Sequence, residues 1–378
     1  MSEIKKTVLI NASNLHNGGG VQVATSFVSE ILSTNVMEMD VCIWVSTKVA
    51  ESLESLGVDL TLFPNLELVN LHGLGAVRSE YNELLSRFDL VFTIFGPNYF
   101  RKKNYINLVG FAQPWILDDS AYSLLSPFDR FKTKLKFFAQ KLFFKTSDAF
   151  VVELEHVRDG LYTKGIAKPG SVHVAYNCIS SLYLKPETWQ PLESGITSPN
   201  FKVGFLGRDY THKNTSILPD VKRILAERYG LNVDFFVTFN EQEWANKPEA
   251  FRSSIANVGS LAVTQCPSFY QALDAVIFPS LLECFSATPL EAMAMEKPLF
   301  ASDRRFVKDI CGDFALYFDP LDPENVADVI ASYIQNQHGK DSERLALARE
   351  HAINFSSAKG RAERYLEIIR TELDKKHG

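Results

Sequence analysis

The sequence predicts an α/β protein with two domains, each built on a parallel β-sheet, and three observations support this fold class. Short apolar runs that suit buried strands alternate with helical segments along the chain. The length of 378 residues, with 46% hydrophobic residues, favours two cores of ordinary size over one unusually large core. Between the two halves lies a stretch with three prolines and no sustained hydrophobic period, which is typical of a linker.

These observations divide the chain into four parts. Residues 1–180 are predicted to form the N-terminal domain, 181–200 the linker, 201–355 the C-terminal domain and 356–378 a final helix. We expect strands near residues 7–11, 40–45, 90–94, 106–111, 149–152 and 171–175, and then near 202–206, 233–239, 275–278 and 298–301. A helix is predicted over 215–228, and the final helix has an apolar side formed by Tyr365, Leu366, Ile369 and Leu373.

The first strand is followed by three glycines at the start of an amphipathic helix. The buried side of this helix is predicted to consist of Val21, Ala24, Val28 and Ile31 or Leu32. Glycine has no Cβ atom, so the backbone at Gly19 and Gly20 lets a phosphate or a sugar approach its amides closely. The spacing does not match the dinucleotide-binding pattern of three separated glycines.

The stretch from residue 275 to 298 carries the two carboxylates that are most informative about function. We expect a strand at 275–278, a loop at 279–287 and a helix that starts at Thr288–Pro289. This order brings Glu283 and Glu291 to the crevice beyond the carboxyl ends of parallel strands, where helix amides attract phosphate. Glu291 also has a purely structural interpretation, because Thr288 and Glu291 have the spacing of a capping box.

Two basic residues follow the first strand of the C-terminal domain. The strand near 202–206 leads through a glycine to Arg208 and then to Lys213, just before a helix. An arginine offers a planar fork to phosphate oxygens and a lysine supplies a compact charge, so the two are suited to neutralise a departing diphosphate. The alternative is an ordinary pair of exposed basic residues.

These motifs resemble a known family. Pro-Ser, a Glu after two residues, an aromatic residue two further on and a second Glu followed by Ala resemble the donor-site motif of retaining glycosyltransferases of family 4, of the bacterial surface-polysaccharide type. The strand-Gly-Arg block with its later lysine resembles a second motif of this family. The resemblance implies the GT-B fold, in which two Rossmann-like, doubly wound domains face a cleft and the last helix crosses back to the first domain.

The resemblance also implies roles for the matching residues. Glu283 would contact the transferred sugar and act with Arg208 and Lys213 in catalysis, while Glu291 would hold the ribose hydroxyls of a nucleotide-sugar donor. The remaining donor-binding positions would be Phe285, Ser286, Ala287, Gly19 and Gly20. Many members have Gly where this chain has Ser286, so we expect a reshaped sugar pocket. GT-B enzymes typically work without a catalytic metal, and no metal or other cofactor is expected.

The acceptor side departs from the family pattern. Many members have a histidine in the first-domain cleft near the end of a strand, and here Gln113 occupies that place. Glutamine forms hydrogen bonds but does not titrate, so a step that needs a protonatable group is in doubt. Asn98, which follows another strand in the sequence Gly-Pro-Asn, is a second candidate for this cleft, although Gly-Pro-Asn is also an ordinary turn.

Charge and cysteine content restrict the location and the partners. The formal net charge of −6 argues against a nucleic-acid surface. Five cysteines without a Cys-x-x-Cys pair, and a start without an apolar signal core, favour a reducing cytoplasm. The eight histidines show no spacing typical of metal ligands with cysteines or carboxylates.

One segment is basic, although the chain as a whole has a negative net charge. Residues 128–146 contain six basic residues and six phenylalanines, and Phe131, Leu135, Phe138 and Leu142 repeat with a helical period. Four lysines flank this apolar stripe: Lys132, Lys134, Lys136 and Lys141. The pattern is typical of a helix that lies on anionic lipid, on the inner face of the cell membrane, and it is too interrupted to cross a bilayer. In the alternative, the phenylalanines pack into the core.

The sequence therefore predicts a retaining glycosyltransferase that moves a hexose-type sugar from a nucleotide-diphosphate sugar to a glycan acceptor, with a lipid-linked glycan as the expected acceptor. This activity would belong to polysaccharide or lipopolysaccharide biosynthesis. Two alternatives remain. One is a non-catalytic partner subunit that binds nucleotide sugars, favoured by Gln113 and Ser286. The other is a nucleotide-sugar epimerase of similar architecture, for which the chain shows no clear set of acid and base residues.

Overall fold

The computed structural model describes residues 5–33, 39–73, 81–100, 104–193, 195–336 and 338–375. The chain divides into two units. Unit 1 comprises Met1–Leu117, Phe128–Asn177 and Ser357–Gly378, and unit 2 comprises Asp118–Pro127 and Cys178–Ser356. The short segment 118–127 thus belongs with unit 2, although it lies within the stretch 1–180 that the sequence analysis assigned to the N-terminal domain.

Unit 1 is built on a parallel sheet of seven strands in the order β3-β2-β1-β4-β5-β6-β7. The strands are β1 (Lys6–Ala12), β2 (Met39–Val45), β3 (Leu66–Leu68), β4 (Leu90–Thr93), β5 (Ile106–Gly110), β6 (Ala149–Val152) and β7 (Val172–Val174). The helices along this part of the chain are α1 (Gly19–Ser33), α2 (Thr47–Ser55), α3 (Tyr81–Leu84), α4 (Pro114–Leu117), α5 (Pro127–Phe144) and α6 (Glu155–Thr163). The strand order reverses direction at β1 and β4, as in a doubly wound sheet.

Unit 2 repeats this plan with six parallel strands in the order β10-β9-β8-β11-β12-β13. They are β8 (Phe201–Phe205), β9 (Val233–Val237), β10 (Ala256–Asn257), β11 (Ala275–Phe278), β12 (Leu299–Ser302) and β13 (Leu316–Phe318). The helices are α7 (Leu218–Tyr229), α8 (Glu241–Ala245), α9 (Glu249–Ser254), α10 (Cys266–Gln271), α11 (Thr288–Ala294), α12 (Arg305–Cys311), α13 (Pro323–Asn336) and α14 (Ser342–Asn354). The order again reverses, here at β8 and β11.

Each unit has its own hydrophobic core. The central strands are continuous apolar runs, and every residue of β4, β5, β6, β11 and β12 is buried. This continuity is expected where helices cover both faces of a parallel sheet. Close packing is evident at Gly204 in β8, where an added Cβ atom would lie 2.1 Å from Leu273 Cδ1. Any larger residue at this position would require Leu273 to move.

All ten predicted strands are present, and three short strands were missed. Strands β3, β10 and β13 have only two or three residues each, so they show no measurable alternation of apolar and polar residues. The helix predicted over 215–228 begins later as an α-helix, because Thr215–Ile217 forms a 3-10 turn before α7. Helix α7 starts with a proline in its first turn and ends at Gly230 with a left-handed φ of 65°, both common terminal signals.

The final helix packs on unit 1, as predicted. Helix α15 (Ala358–Lys375) buries Tyr365, Leu366, Ile369 and Leu373 in the core that also contains α1. The ring of Tyr365 packs edge-on against Phe27 at 4.8 Å and against Phe92 at 5.3 Å between centroids. Two Rossmann-like units and a C-terminal helix that returns to the first unit together form the GT-B fold.

Candidate functional site

The candidate site in unit 2 is formed by two loops at the point where the strand order reverses. Strands β8 and β11 are neighbours in the sheet, and the loops that follow them start at its carboxyl edge. A hydrogen bond of 2.8 Å from the Leu281 amide to the His212 carbonyl joins the two loops. In open α/β sheets, ligands bind in the crevice outside the carboxyl ends of the strands at such a reversal.

An ion pair joins these loops at the level of the side chains. Lys213 Nζ lies 2.5 Å from Glu283 Oε1, and the two side chains are only 14% and 11% exposed. The Lys213 ammonium also lies over the Phe278 ring, 5.2 Å from its centroid. The sequence predicted both residues for the donor site from positions 70 apart, and the structure brings them into direct contact.

His212 is a third member of this group, and the sequence analysis did not single it out. Its Nε2 lies 3.9 Å from Glu283 Oε1, and its ring stacks on that of Tyr210. Burial lowers the pKa of His212, and the Lys213 charge acts in the same direction against the opposing effect of Glu283. The imidazole is therefore neutral near pH 7. The only sequence signal was its place next to Lys213.

Glu291 has a different environment from the one that a capping box requires. Helix α11 already includes Thr288, its N-cap position is Ala287, and no side chain caps it. The capping-box interpretation is therefore wrong by one residue in register. Instead, the Glu291 carboxylate accepts a hydrogen bond of 2.9 Å from the hydroxyl of Tyr270.

The charge state of Glu291 reflects two opposing influences. Burial raises the pKa of Glu291, while hydrogen bonding by the hydroxyls of Tyr270 and Tyr183 and the charge of Lys213 lower it. Lys213 therefore acts electrostatically on both predicted carboxylates, since it contacts Glu283 directly. Neither tyrosine was predicted, because each lies far from Glu291 in the sequence.

Arg208 forms an ion pair with a carboxylate other than Glu283 and Glu291. Its Nε donates to Glu243 Oε1 at 2.6 Å, and its side chain is 57% exposed. Glu243 at the same time closes a capping box with Asn240 at the start of α8. Arg208 is thus paired with Glu243, whereas Lys213 pairs with Glu283 and acts electrostatically on Glu291. The structure thus brings three of the four predicted residues together.

The loop that precedes α11 contains the predicted amide positions. Ser286 is buried, and Phe285 and Ala287 are half-buried. These residues lie directly before Pro289 in the first turn of α11, so their backbone runs into the amino end of that helix. Ser286 therefore occupies an enclosed position at the amino end of α11.

The glycine loop of unit 1 follows β1 at the corresponding reversal of strand order. Helix α1 begins at Gly19, and Gly18 has a left-handed φ of 72° that favours glycine. A Cβ atom added at Gly19 would meet no other atom within 4 Å, whereas at Gly20 it would lie 3.2 Å from Leu15. The backbone at Gly19 is thus open to a ligand, and that at Gly20 is more closely packed.

The two acceptor candidates differ in accessibility. Gln113 is half-buried between the end of β5 and the start of α4. Asn98 is only 3% exposed, donates to Asn107 Oδ1 at 2.9 Å and accepts from the Phe100 amide at 2.9 Å. These hydrogen bonds fix the Asn98 side chain within unit 1, and a contact of Asn98 with a sugar stays a prediction.

Helix α5 presents an apolar surface to solvent. Phe131, Leu135, Phe138 and Leu142 are 68%, 59%, 61% and 53% exposed, and Phe128 is 75% exposed. Only Phe137 and Phe144 of this helix are buried. The alternative in which the predicted stripe packs into the core is therefore wrong. Lys132, Lys134 and Lys136 are exposed beside the stripe, and Lys141 is half-buried.

Two general properties of the described residues concern metals and membranes. They contain no group of three or more His, Cys, Asp or Glu side chains arranged to hold a metal ion. Across the same part of the chain, every helix is too short or too polar to cross a bilayer.

The chain is similar to one known protein family and to several solved structures. Residues 193–351 match the family described as glycosyl transferases group 1. No curated protein matches the chain in sequence. A glycosyltransferase from Rickettsia africae has a TM-score of 0.67 and 16% identity, covering 98% of this chain and 99% of that chain.

Two further structures contain ligands. HepE from Anabaena, in complex with UDP-glucose, has a TM-score of 0.63 and 15% identity, covering 97% of this chain and 98% of its own. A variant of TarM from S. aureus, in complex with UDP and α-GlcNAc-glycerol, has a TM-score of 0.63 and 12% identity, covering 96% and 99%. The group 1 match in unit 2 and the GT-B fold of the whole chain together support a glycosyltransferase of the GT-B class.

Proposed function

We propose that this protein is a retaining glycosyltransferase of family 4 that transfers a hexose-type sugar from a nucleotide-diphosphate sugar. The observation that carries the proposal is the contact between Lys213 and Glu283 at the strand reversal of unit 2, with Glu291 within electrostatic reach of the same lysine. Structures of similar fold hold UDP-glucose or UDP, which supports a donor of this chemistry.

In the proposed reaction, the bond between the anomeric carbon and the diphosphate oxygen breaks, an acceptor hydroxyl attacks the anomeric carbon from the same face, and the hydroxyl proton passes to the departing phosphate oxygen. Negative charge then develops on the leaving diphosphate. Lys213 and the amides at Phe285, Ser286 and Ala287 stabilise this charge, and Arg208 joins them after release from Glu243. Glu283 positions the sugar, Glu291 binds the ribose hydroxyls, and the reaction needs no metal ion.

The acceptor half of the proposal rests on unit 1. Residues 1–180 together with 356–378 would form the acceptor domain, joined by the linker 181–200 to the donor domain 201–355. The open backbone at Gly19 and the half-buried amide of Gln113 are the candidates for sugar contacts there. Gly20 would line the same loop.

We also propose that α5 binds the cytoplasmic face of an anionic membrane, so that the acceptor is a lipid-linked glycan of surface polysaccharide or lipopolysaccharide synthesis. Support comes from the apolar stripe of α5, each member of which is more than half exposed, with lysines beside it. A large exposed apolar patch marks an interaction surface, and basic flanks favour anionic lipid over a neutral surface.

A second candidate is a sugar-nucleotide-binding subunit that has lost turnover. It is favoured by Gln113, which cannot titrate where many relatives have a histidine. Binding of the donor without hydrolysis or transfer would support this candidate over the enzyme.

The proposed function is tested by thermal shift and calorimetry with UDP-glucose, GDP-mannose and the free diphosphates, followed by a transfer assay. A nucleotide sugar at 100 times its Kd is expected to stabilise the protein by about 2.7 kcal/mol. Glu283→Gln should keep the affinity for the free diphosphate and lose transfer, because it removes the charge nearest to the sugar. If no nucleotide sugar or diphosphate binds the wild-type protein, the proposed function is wrong.

A further inference from the structure

A single 3-10 turn of unit 2 directs two basic side chains at one oxygen of Glu283. His212 and Lys213 are neighbours in the turn Thr211–Lys213, and His212 Nε2 and Lys213 Nζ lie 3.9 Å and 2.5 Å from Glu283 Oε1. The side chains of all three residues are only 11% to 16% exposed. The carboxylate is thus shielded from water and has two basic neighbours from the same turn.

Contacts on several sides fix the position of the imidazole. The Leu281 amide donates to the His212 carbonyl at 2.8 Å, and the ring of His212 stacks on Tyr210, with 5.6 Å between the centroids. Asn214 ends the turn with a left-handed φ of 54°, and its Nδ2 donates to the Pro320 carbonyl at 2.6 Å. The place of the histidine beside the carboxylate therefore follows from the fold of the loop.

The charges of this group are balanced while no donor is bound. The Lys213 ammonium neutralises the Glu283 carboxylate, and His212 is neutral near pH 7. A diphosphate at Lys213 disturbs this balance, because one ammonium then serves both a carboxylate and a phosphate. A shielded carboxylate without its full counter-ion is unfavourable, and His212 is the neighbouring group that can supply the missing positive charge.

We propose that His212 is a positioning residue of the donor site, which takes up a proton when the donor binds and replaces Lys213 as the counter-ion of Glu283. The proton comes from solvent, so that both ring nitrogens carry a hydrogen and Nε2–H faces Glu283 Oε1. Lys213 then stays on the diphosphate, and Glu283 keeps its charge and orientation towards the sugar. The inference rests on the proposed function, since it requires a diphosphate at Lys213. His212 does not touch the donor in this scheme.

The neighbours of the imidazole determine the sign of the pH dependence. Burial and the Lys213 charge lower the pKa of His212, while Glu283 raises it. A diphosphate beside Lys213 offsets one of the two lowering effects, so the pKa of His212 is higher in the complex than in the free protein. Binding therefore takes up protons between these two pKa values, and donor affinity falls as pH rises through that window.

Further titratable groups lie on the elements packed around this turn. The 3-10 turn Ser120–Leu124 packs against it, and the Ser120 hydroxyl donates to the Leu281 carbonyl at 3.5 Å. The titratable groups of that segment and of the loop 279–287, besides Glu283, are Asp118, Asp119, Tyr122 and Cys284. A donor at Lys213 contacts none of them in this scheme, so they act on His212 equally before and after binding.

The test measures proton uptake by calorimetric titration in buffers of different ionisation enthalpy, with UDP-glucose and GDP-mannose as the probes. Both phosphates of these probes are esterified and do not titrate near neutrality, whereas the terminal phosphate of a free diphosphate titrates near about pH 6. The wild-type protein should take up protons between about pH 5 and 8. Over that range its affinity should fall with rising pH, by at most about tenfold per pH unit for one proton.

Three variants make the result specific. His212→Gln keeps a polar side chain that cannot take up a proton, so it should match the wild-type affinity near about pH 9 and lose both the uptake and the gain in affinity at lower pH. Glu283→Gln leaves no carboxylate to neutralise, and its uptake should fall in the same way. His351→Gln is the matched control, because His351 is half-buried in α14 and its Nε2 bonds to the Ile310 carbonyl at 2.7 Å. Its uptake should equal that of the wild-type protein.

The possible failures are distinguishable. If the wild-type protein binds no nucleotide sugar and no free diphosphate, the proposed function fails. If only a free diphosphate binds, the difference in uptake between wild type and His212→Gln decides, because the titration of the ligand cancels. Binding without proton uptake in the wild-type protein, or equal uptake in His212→Gln, overturns the role of His212 and leaves the proposed function standing. An affinity of His212→Gln that is lower by one factor at every pH also overturns it, since a merely structural role has that effect.

Discussion

Two lysine–carboxylate pairs of similar chemistry lie at opposite ends of strand β8. Lys213 pairs with Glu283 after the carboxyl end of the strand, and Lys202 Nζ pairs with Asp274 Oδ2 at 2.7 Å near its amino end. Both pairs are shielded from solvent, with side chains 11% to 29% exposed. Because ligands bind beyond the carboxyl ends of parallel strands, only the first pair is placed for function.

Lys213→Met and Lys202→Met are therefore expected to have different effects. Each leaves a shielded carboxylate without its cation and should lower the free energy of unfolding by about 2–4 kcal/mol, with the smaller loss for the more exposed Lys202 pair. Only Lys213→Met should also abolish transfer and weaken diphosphate binding. Urea unfolding and donor titration measure the two effects. Equal loss of donor binding in both variants would contradict the assignment of Lys213.

Some residues of the site could be predicted from the sequence and others could not. Glu283 and Lys213 were predictable because each directly follows a recognisable strand, and parallel strands align their carboxyl ends. Tyr183 was not, since its burial depends on the docking of a segment that has no periodicity. The capping-box interpretation of Glu291 failed because helix boundaries read from sequence are uncertain by a residue or more, and the cap lies at Ala287.

At the level of elements, α5 is exceptional among the described helices. The exposed phenylalanines of the described residues, Phe128, Phe131 and Phe138, all belong to it. Its inner face is anchored by Phe137, which stacks on Trp115, and by Phe144, which packs against Phe111. The helical period was evident in the sequence and predicted an outward apolar stripe, but the alternative of core packing stayed open, because both sides of the helix carry phenylalanines.

The double variant Phe131→Ser, Phe138→Ser should separate membrane binding from stability. Both rings are mostly exposed, so the melting temperature should change little, while binding to vesicles with anionic lipid should weaken tenfold or more, at about 1–2 kcal/mol per lost ring. Charge reversal of Lys132, Lys134, Lys136 and Lys141 to Glu should also weaken binding, most strongly at low salt. Vesicle sedimentation measures both.

Phe137→Ser is the matched control on the same helix. Its ring is 8% exposed, so the substitution should lower the free energy of unfolding by about 3 kcal/mol or more. Undiminished sedimentation of the double variant and of the charge-reversed variant would show that α5 does not contact lipid.

At the level of the whole molecule, a buried polar cluster connects the places where the chain leaves and re-enters unit 1. Asn177 is the last residue before the chain enters unit 2, and Arg361 lies in the first turn after its return. Asn177 Nδ2 donates to Glu153 Oε1 at 2.7 Å, and Arg361 Nη1 donates to Asn177 Oδ1. Glu153, directly after β6, is 6% exposed, so the Asn177 amide joins a buried carboxyl group to the arginine at the other end of the crossing.

This cluster should make stability depend on pH in a particular direction. Burial raises the pKa of Glu153 to about 7, although Arg361 and Asn177 oppose the shift. The unfolded chain has an ordinary glutamate near 4.3, so the folded protein binds more protons between these values, and stability falls as pH rises through that window. The fall from this one group is about 4 kcal/mol and is complete above roughly pH 8.

Glu153→Gln should remove this dependence. Near pH 4 the variant and the wild-type protein should be similarly stable, and the variant should become the more stable of the two as pH rises towards 8. Glu372→Gln should change the pH dependence of stability in the opposite direction. Burial raises the pKa of Glu372, but hydrogen bonds from His173 and Lys375 outweigh this effect and lower the pKa. That variant should be less stable than wild type at neutral pH, and the difference should vanish as pH falls through the lowered pKa of Glu372. Calorimetric melting from about pH 2.5 to 8.5 measures both, since the lowered pKa of Glu372 lies below the ordinary value of about 4.3. Parallel curves for Glu153→Gln and wild type would show that Glu153 is ionised in the fold like any surface glutamate.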